Sequence, residues 1–194
     1  ELEGDPVIQI GTVLYKFGDK ECYKKHIITL DTCDDFDDNV EVVRCKTETE
    51  VLFEWTKLIK KENPNIITGY NILGFDFKYI YDRAKVLKIH NNIKFSDLGM
   101  EKRAQCKLEH KRLMSSALGD NSLHWIPMTG RVIYDIHKEV TKEMQLASYK
   151  LDSVASELMR GKIVKCDNKK TTCKITTDSL GNLIKGKYIK LMFH

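Results

Sequence analysis

Branched apolar residues at Val7, Ile8, Ile10 and Val13 mark an extended segment over 7–17, and Phe17-Gly18-Asp19-Lys20 supplies turn residues before a second strand over 25–30. The pattern predicts an opening hairpin, with a short third strand from Val40 to Arg44. Thr47 stands three residues before Glu50, the capping-box spacing in which hydroxyl and carboxylate each satisfy a free amide, so a helix should begin near Glu48. Val51, Leu52, Trp55, Leu58 and Ile59 fall on one face of that helix as a packing stripe, and Asn63-Pro64 stops it because proline cannot continue the hydrogen-bond ladder. Asn65 to Gly69 reads as a short strand and residues 70–75 as a loop. Phe77, Ile80, Tyr81, Ala84 and Leu87 form the inner face of a second helix. Residues 91–129 lack a sustained period and predict an irregular insertion or hairpin. Arg131 to Tyr134 resumes as a strand ending at Asp135, and helices are expected over 136–144 and 151–159. From Lys162 the chain alternates short apolar and basic stretches around Leu180-Gly181-Asn182, which suggests a partial hairpin within a basic tail over 161–194. Strands first, then helices alternating with short strands, point to a layered α/β or α+β fold.

A 42% hydrophobic and 31% charged composition with three prolines is that of an ordinary soluble globular protein, and 194 residues suit one domain. No run of about 18 apolar residues occurs, so no membrane span is expected. The chain opens on Glu1 and enters strand-like sequence at once, so it is expected to be an internal piece of a longer protein. Six cysteines without a Cys-x-x-Cys pair argue against a zinc ribbon and suit reduced thiols in a nuclear or cytoplasmic setting. A zinc site using Cys166, Cys173 and a histidine is disfavoured by the spacing.

A net charge of +4 does not by itself announce nucleic-acid binding, but the charge is uneven. An acidic stretch runs from Asp31 to Glu41, and Arg160, Lys162, Lys165, Lys169, Lys170, Lys174, Lys185, Lys187 and Lys190 make the C-terminal part basic. Either can be a solvated face. The acidic stretch is not an EF-hand, because Val40 stands where the tight-turn glycine belongs and Lys46 where the bidentate glutamate belongs.

The segment richest in chemistry is residues 65–76, a strand running into a loop that presents Asp76 as a helix begins. Ligands gather outside the carboxyl ends of strands in open α/β sheets, and Gly69 and Gly74 allow close backbone approach. For an isolated aspartate there, a helix N-cap is the plainer reading.

Four segments in order change that balance: Gly4-Asp5-Pro6-Val7-Ile8-Gln9-Ile10-Gly11, then Asn71-Ile72-Leu73-Gly74-Phe75-Asp76 preceded by Ile67-Thr68-Gly69-Tyr70, then Gly130-Arg131-Val132 with Asp135, then Ser148-Tyr149-Lys150-Leu151-Asp152-Ser153-Val154-Ala155. Together they resemble the 3′-to-5′ exonuclease domain of family B DNA polymerases, whose second motif is Asn-x-x-x-Phe-Asp. The wording is closest to delta-type eukaryotic enzymes and those of large nucleocytoplasmic DNA viruses, and the tail leans toward the viral group. The resemblance implies a ribonuclease-H-like fold with a mixed sheet and flanking helices. Residues 1–194 would then be part of a proofreading domain that hydrolyses 3′-terminal nucleotides with two divalent metals, Mg²⁺ or Mn²⁺. By position, Asp76 would be a catalytic metal ligand, Asn71 would contact the strand end, Phe75 would pack against the nucleotide, and Arg131 could contact DNA. Partners would be the single-stranded primer end and the remainder of the polymerase chain. A non-catalytic single-stranded DNA-binding module on the same fold is the alternative.

The family's first carboxylate motif, Asp-x-Glu, is expected upstream of Glu1, and its third, Tyr-x-x-x-Asp, beyond His194, so this chain alone should be inactive. Asp19-Lys20-Glu21 and Tyr15 with Asp19 imitate those motifs but overlap in a turn and follow Gly4-Asp5-Pro6. No polymerase motif is present. Asp135 and Tyr149 are read as supporting residues. Lys102, Arg103, Lys107, Lys111 and Arg112 lie where delta-type enzymes carry a hairpin, as phosphate contacts or a solvated loop.

Overall fold

The computed structural model describes residues 4–34, 39–101, 105–115, 119–169, 171–179, 186, 188–189 and 191. Asp35, Asp37, Asp38, Lys102, Arg103, Lys170, Leu180-Gly181-Asn182, Lys185, Lys187 and Lys190 lie outside them. The chain divides into two compact units, residues 1–138 and 139–194.

In the first unit, β1 (Gln9–Leu14) and β2 (Lys24–Leu30) form the expected antiparallel hairpin, with Gln9 opposite Thr29. Asp31 adopts a left-handed backbone (φ 64°) directly after β2, and β3 (Val40–Cys45) returns parallel to β2, Lys25 opposite Val40. The capping box is in place: Thr47 Oγ1 accepts from the Glu50 amide at 3.2 Å while the Glu50 carboxylate accepts from the Thr47 amide at 3.2 Å. Helix α1 (Glu48–Glu62) follows and ends on Asn63, left-handed at φ 48°, just before Pro64. Its predicted stripe, Val51, Leu52, Trp55, Leu58 and Ile59, is buried. Most of the stripe joins Ile28, Phe77, Tyr81, Ala84, Phe95, Leu98 and Ile126 in one core.

Strand β4 (Ile66–Gly69) leads through a loop into α2 (Asp76–Val86). The region expected to be irregular contains a short helix, α3 (Ile93–Ser96), and a hairpin of β5 (Glu109–Ser115) and β6 (Gly119–Trp125). β7 (Val132–Asp135) pairs in parallel with β4, placing Asp135 opposite Gly69, and α4 (Ile136–Glu143) begins at once. The fold is therefore mixed α/β, as expected. The described strands form one three-stranded sheet, mixed because β2 pairs antiparallel with β1 and parallel with β3, and three separate two-stranded pairs. Patterning marks strands but does not choose their partners.

The second unit holds α5 (Leu151–Leu158) and an antiparallel pair, β8 (Ile163–Asn168) and β9 (Cys173–Thr177). The partial hairpin expected around Leu180-Gly181-Asn182 lies outside the described residues, while the chain turns between Lys169 and Thr172, whose backbones bond each other. Polar Asn168 and Lys169 interrupt the β-formers there. The Tyr149 hydroxyl donates to the Met144 carbonyl at 2.8 Å, a local staple in keeping with a supporting role.

One buried ion pair joins three elements of the first unit. Arg83 Nε and Nη2 donate to Glu48 Oε1 and Oε2 at 2.8 and 2.6 Å, the Val7 amide donates to Glu48 Oε1 at 2.9 Å, and Arg83 Nη1 donates to the Gly4 carbonyl at 2.6 Å. Residues 4–7 are thereby tied to the starts of both α1 and the last turns of α2. Burial alone would raise the Glu48 carboxyl, but the bonds from Arg83 and Val7 outweigh it and hold the group below its ordinary value.

Removing one partner of a buried pair strands the other charge, so Arg83→Met should destabilise the fold by about 3–5 kcal/mol. Thr47→Ala should cost only about 1 kcal/mol. Urea midpoints should rank the two variants in that order. Because the Glu48 pKa is depressed by folding, its contribution should be complete above the ordinary value of 4.5 and fade as the pH falls through the lower folded value; wild type but not Arg83→Met should show that acid limb.

Candidate active site

The loop between β4 and α2 leaves its sheet at Asn71, whose backbone is left-handed (φ 61°). A loop that turns out of a ladder leaves amides without partners, and each needs an acceptor. Asp135 supplies them. Its Oδ1 accepts from the Asn71 amide at 2.8 Å and the His137 amide at 3.0 Å, and its Oδ2 accepts from the Leu73 amide at 3.0 Å. The residue is only 5% exposed, so this carboxylate is committed to the backbone, holding the loop and capping the start of α4. The hairpin grips the loop from another side, where the His124 amide donates to the Leu73 carbonyl at 2.7 Å.

Within the loop the Asn71 carbonyl accepts from the amides of Gly74 and Phe75, both at 3.0 Å. The Asn71 side chain folds over Gly74 so closely that a Cβ at Gly74 would lie 2.2 Å from Asn71 Oδ1. A side chain at Gly74 would therefore displace the Asn71 carboxamide. The half-buried Asn71 amide group thus lies on the turn itself.

Phe75 occupies the cap position of α2 without a side-chain cap bond, and Asp76 is the first helical residue. The N-cap reading of Asp76 is thereby replaced. Asp76 is exposed as a residue, yet its carboxyl is raised above the ordinary range, chiefly by desolvation and further by the negative charge of Asp135, with its own backbone amide opposing. Desolvation, then Asp135, also push the Tyr70 hydroxyl up, and the Tyr70 ring meets His137 edge-on at 5.2 Å. Phe75 is 58% exposed and stacks on Tyr79, with ring centroids 5.3 Å apart and planes 22° apart. The Tyr79 hydroxyl donates to the Asp5 carbonyl at 2.6 Å, so the exposed ring rests on a tethered one.

Asn71, Phe75 and Asp76 thus fall together on one short loop. Arg131 does not join them: it is 9% exposed, with Nε donating to the Leu98 carbonyl at 2.8 Å and Nη1 to the Pro64 carbonyl at 2.5 Å. Burial lowers its pKa, which shows a guanidinium turned inward to hold backbone carbonyls. Arg131 also borders a cavity of about 350 Å³ with Trp125, Met128 and Ile133, which does not include Asp76. Sequence reasoning read Asp135 as a supporting residue, in keeping with its three backbone bonds, but did not identify those partners. The available signal was an aspartate placed between a strand and a helix start, a cap position beside the neighbouring strand's loop.

Among the described residues no three His, Cys, Asp or Glu side chains converge as a metal site. With Asp135 committed to amides, the loop offers one exposed carboxylate, which does not fit a pair of divalent cations by itself. Among the same residues no helix is long and apolar enough to cross a membrane.

The family model for DNA polymerase family B, exonuclease domain, matches residues 1–154. A DNA polymerase of Pyramimonas orientalis virus is 47% identical over 192 residues, covering 98% of this chain and 15% of that protein. The DNA polymerase delta catalytic subunit of Dictyostelium discoideum is 36% identical over 160 residues, covering 82% of this chain and 14% of the relative. A DNA polymerase of Phaeocystis pouchetii virus is 32% identical over 208 residues, with 98% of this chain and 20% of the relative covered. The chain spans a fifth or less of the length of these relatives. It belongs to the family B DNA polymerases, through their exonuclease domain.

Proposed function

We propose that this chain is part of a proofreading exonuclease that removes 3′-terminal nucleotides from DNA, on a ribonuclease-H-like fold, within a DNA-directed DNA polymerase. The observation that carries the reading is the loop itself: an exposed carboxylate at Asp76 beside an exposed aromatic at Phe75, presented by a backbone fixed through Asp135. In this reading Asp76 is one ligand of a Mg²⁺ or Mn²⁺ site whose other carboxylates come from outside the described residues. Its pKa is raised chiefly by desolvation and further by the charge of Asp135, and a bound cation would offset both. Phe75 stacks against a terminal base and Asn71 shapes the turn and contacts the strand end. The remainder of the polymerase chain would cover apolar side chains such as Ile66 and Val132, which are 52% and 59% exposed here.

Replacing the matching segment of the Pyramimonas orientalis virus polymerase with this chain tests the assignment. Asp76→Ala in that chimera should lower metal-dependent release of 3′ nucleotides at least about 100-fold, because a ligand of the reacting metals is lost, while primer extension persists. Equal nuclease rates with and without Asp76 would reject the reading. The 194-residue chain alone should release nucleotides from single-stranded DNA no faster than background, since one carboxylate does not position two ions.

Phe75→Ala should weaken single-stranded DNA binding by about 5- to 100-fold in a fluorescence-anisotropy titration, the loss of one base stack. Asp135→Asn should lower stability by about 3 kcal/mol, since an amide cannot accept from all three backbone donors with both atoms. It should also slow nucleotide release while leaving Asp76 in place; unchanged rates on a fully folded variant would separate loop geometry from catalysis.

A further inference from the structure

Cys166 and Cys173 lie on the β8–β9 hairpin and take no part in the loop that carries Asp76. Cys166 pairs with Ile175 and Cys173 with Asn168, so both side chains belong to the same face of the ribbon, on the diagonal of a two-residue offset. Their sulfurs are 2.9 Å apart. Non-bonded carbon atoms rest at about 3.5–4.0 Å, so these sulfurs are already in closer than ordinary contact. A disulfide requires about 2.05 Å, which leaves about 0.9 Å to close by side-chain rotation. Both thiols are exposed, whereas Cys22 and Cys33 are half-buried and Cys45 and Cys106 are buried. The hydrogen bond to Cys166 pushes the Cys173 thiol above its ordinary value, as expected for two sulfurs sharing a proton.

We propose that Cys166 and Cys173 are a redox modification site that closes to an intramolecular disulfide at the expense of a small-molecule disulfide such as oxidised glutathione. The Cys166 thiolate attacks one glutathione sulfur, breaking its S–S bond and releasing one glutathione thiolate. The Cys173 thiolate then attacks the Cys166 sulfur, forming the Sγ–Sγ bond and releasing the second glutathione. Two electrons pass from the cysteine pair to one oxidised glutathione, and the two cysteine protons end on two reduced glutathiones. The bond clasps the turn that contains Lys169 and Thr172, and excess thiol reopens it. The site is independent of the exonuclease reading.

The test uses the full 194-residue chain in buffers stepped from reduced to oxidised glutathione, blocked with iodoacetamide and read by mass spectrometry. Trypsin cuts after Lys169, between the two cysteines, so the bond appears as two linked peptides. The expected result is an intact mass about 116 Da below that of the reduced, blocked chain, from two carbamidomethyl groups not added and two hydrogens lost, before Cys22 or Cys33 reacts and reversed by dithiothreitol. Cys166→Ser and Cys173→Ser should each abolish that change and carry a single glutathione on the remaining thiol. Far-UV circular dichroism of the double variant guards against misfolding, and the wild-type peptide map stands without either variant. Separate glutathione adducts on both cysteines of the wild type would overturn the proposal. So would disulfide-linked dimers through these residues, or thiols still free once Cys33 has reacted.

Discussion

Three backbone amides converging on the Asp135 carboxylate are what the site's geometry depends on. Asn71, Leu73 and His137 leave regular pairing where β4 and β7 end, and without an acceptor each buried donor would lose its water for nothing in return. The parallel pairing of the two strands puts Asp135 opposite Gly69, next to the loop that needs it. Strand register, loop shape and the start of α4 are in this way one arrangement. Asp76 inherits its position from it.

Two aspartates close to one another then play opposite parts. Asp135 is buried with its oxygens committed to amides, whereas Asp76 is open to solvent and, among the described residues, has no such partners beyond its own backbone. Desolvation of its carboxyl, and after it the negative charge of Asp135, raise the Asp76 pKa. Environment, not residue type, separates the holding carboxylate from the one available for chemistry.

Much of this was legible from residue patterns because local physics dominates local structure. The Thr47 and Glu50 spacing gave the start of α1 to the residue, Asn63-Pro64 gave its end, and the stripe from Val51 to Ile59 gave its buried face. The loop from Asn71 to Asp76 stood out as a candidate site through its resemblance to a family motif. The inward turn of Arg131 was not legible, because a charge at a strand start says nothing about which way a long side chain turns, and here the carbonyls of Leu98 and Pro64 hold it. The grouping of strands into four small sheets was hidden for a related reason, since pairing joins residues far apart in sequence. The turn between Lys169 and Thr172 carries neither glycine nor proline, so the usual punctuation was missing.

Asn71 shows how tightly a single position can be specified. Its left-handed backbone excludes most L-residues, while its carboxamide fills the space over Gly74. Glycine would satisfy the first condition and empty that space; glutamine would offer a carboxamide on a longer arm with a poorer fit to the backbone. Substitution at this position is thus limited twice, by conformation and by shape.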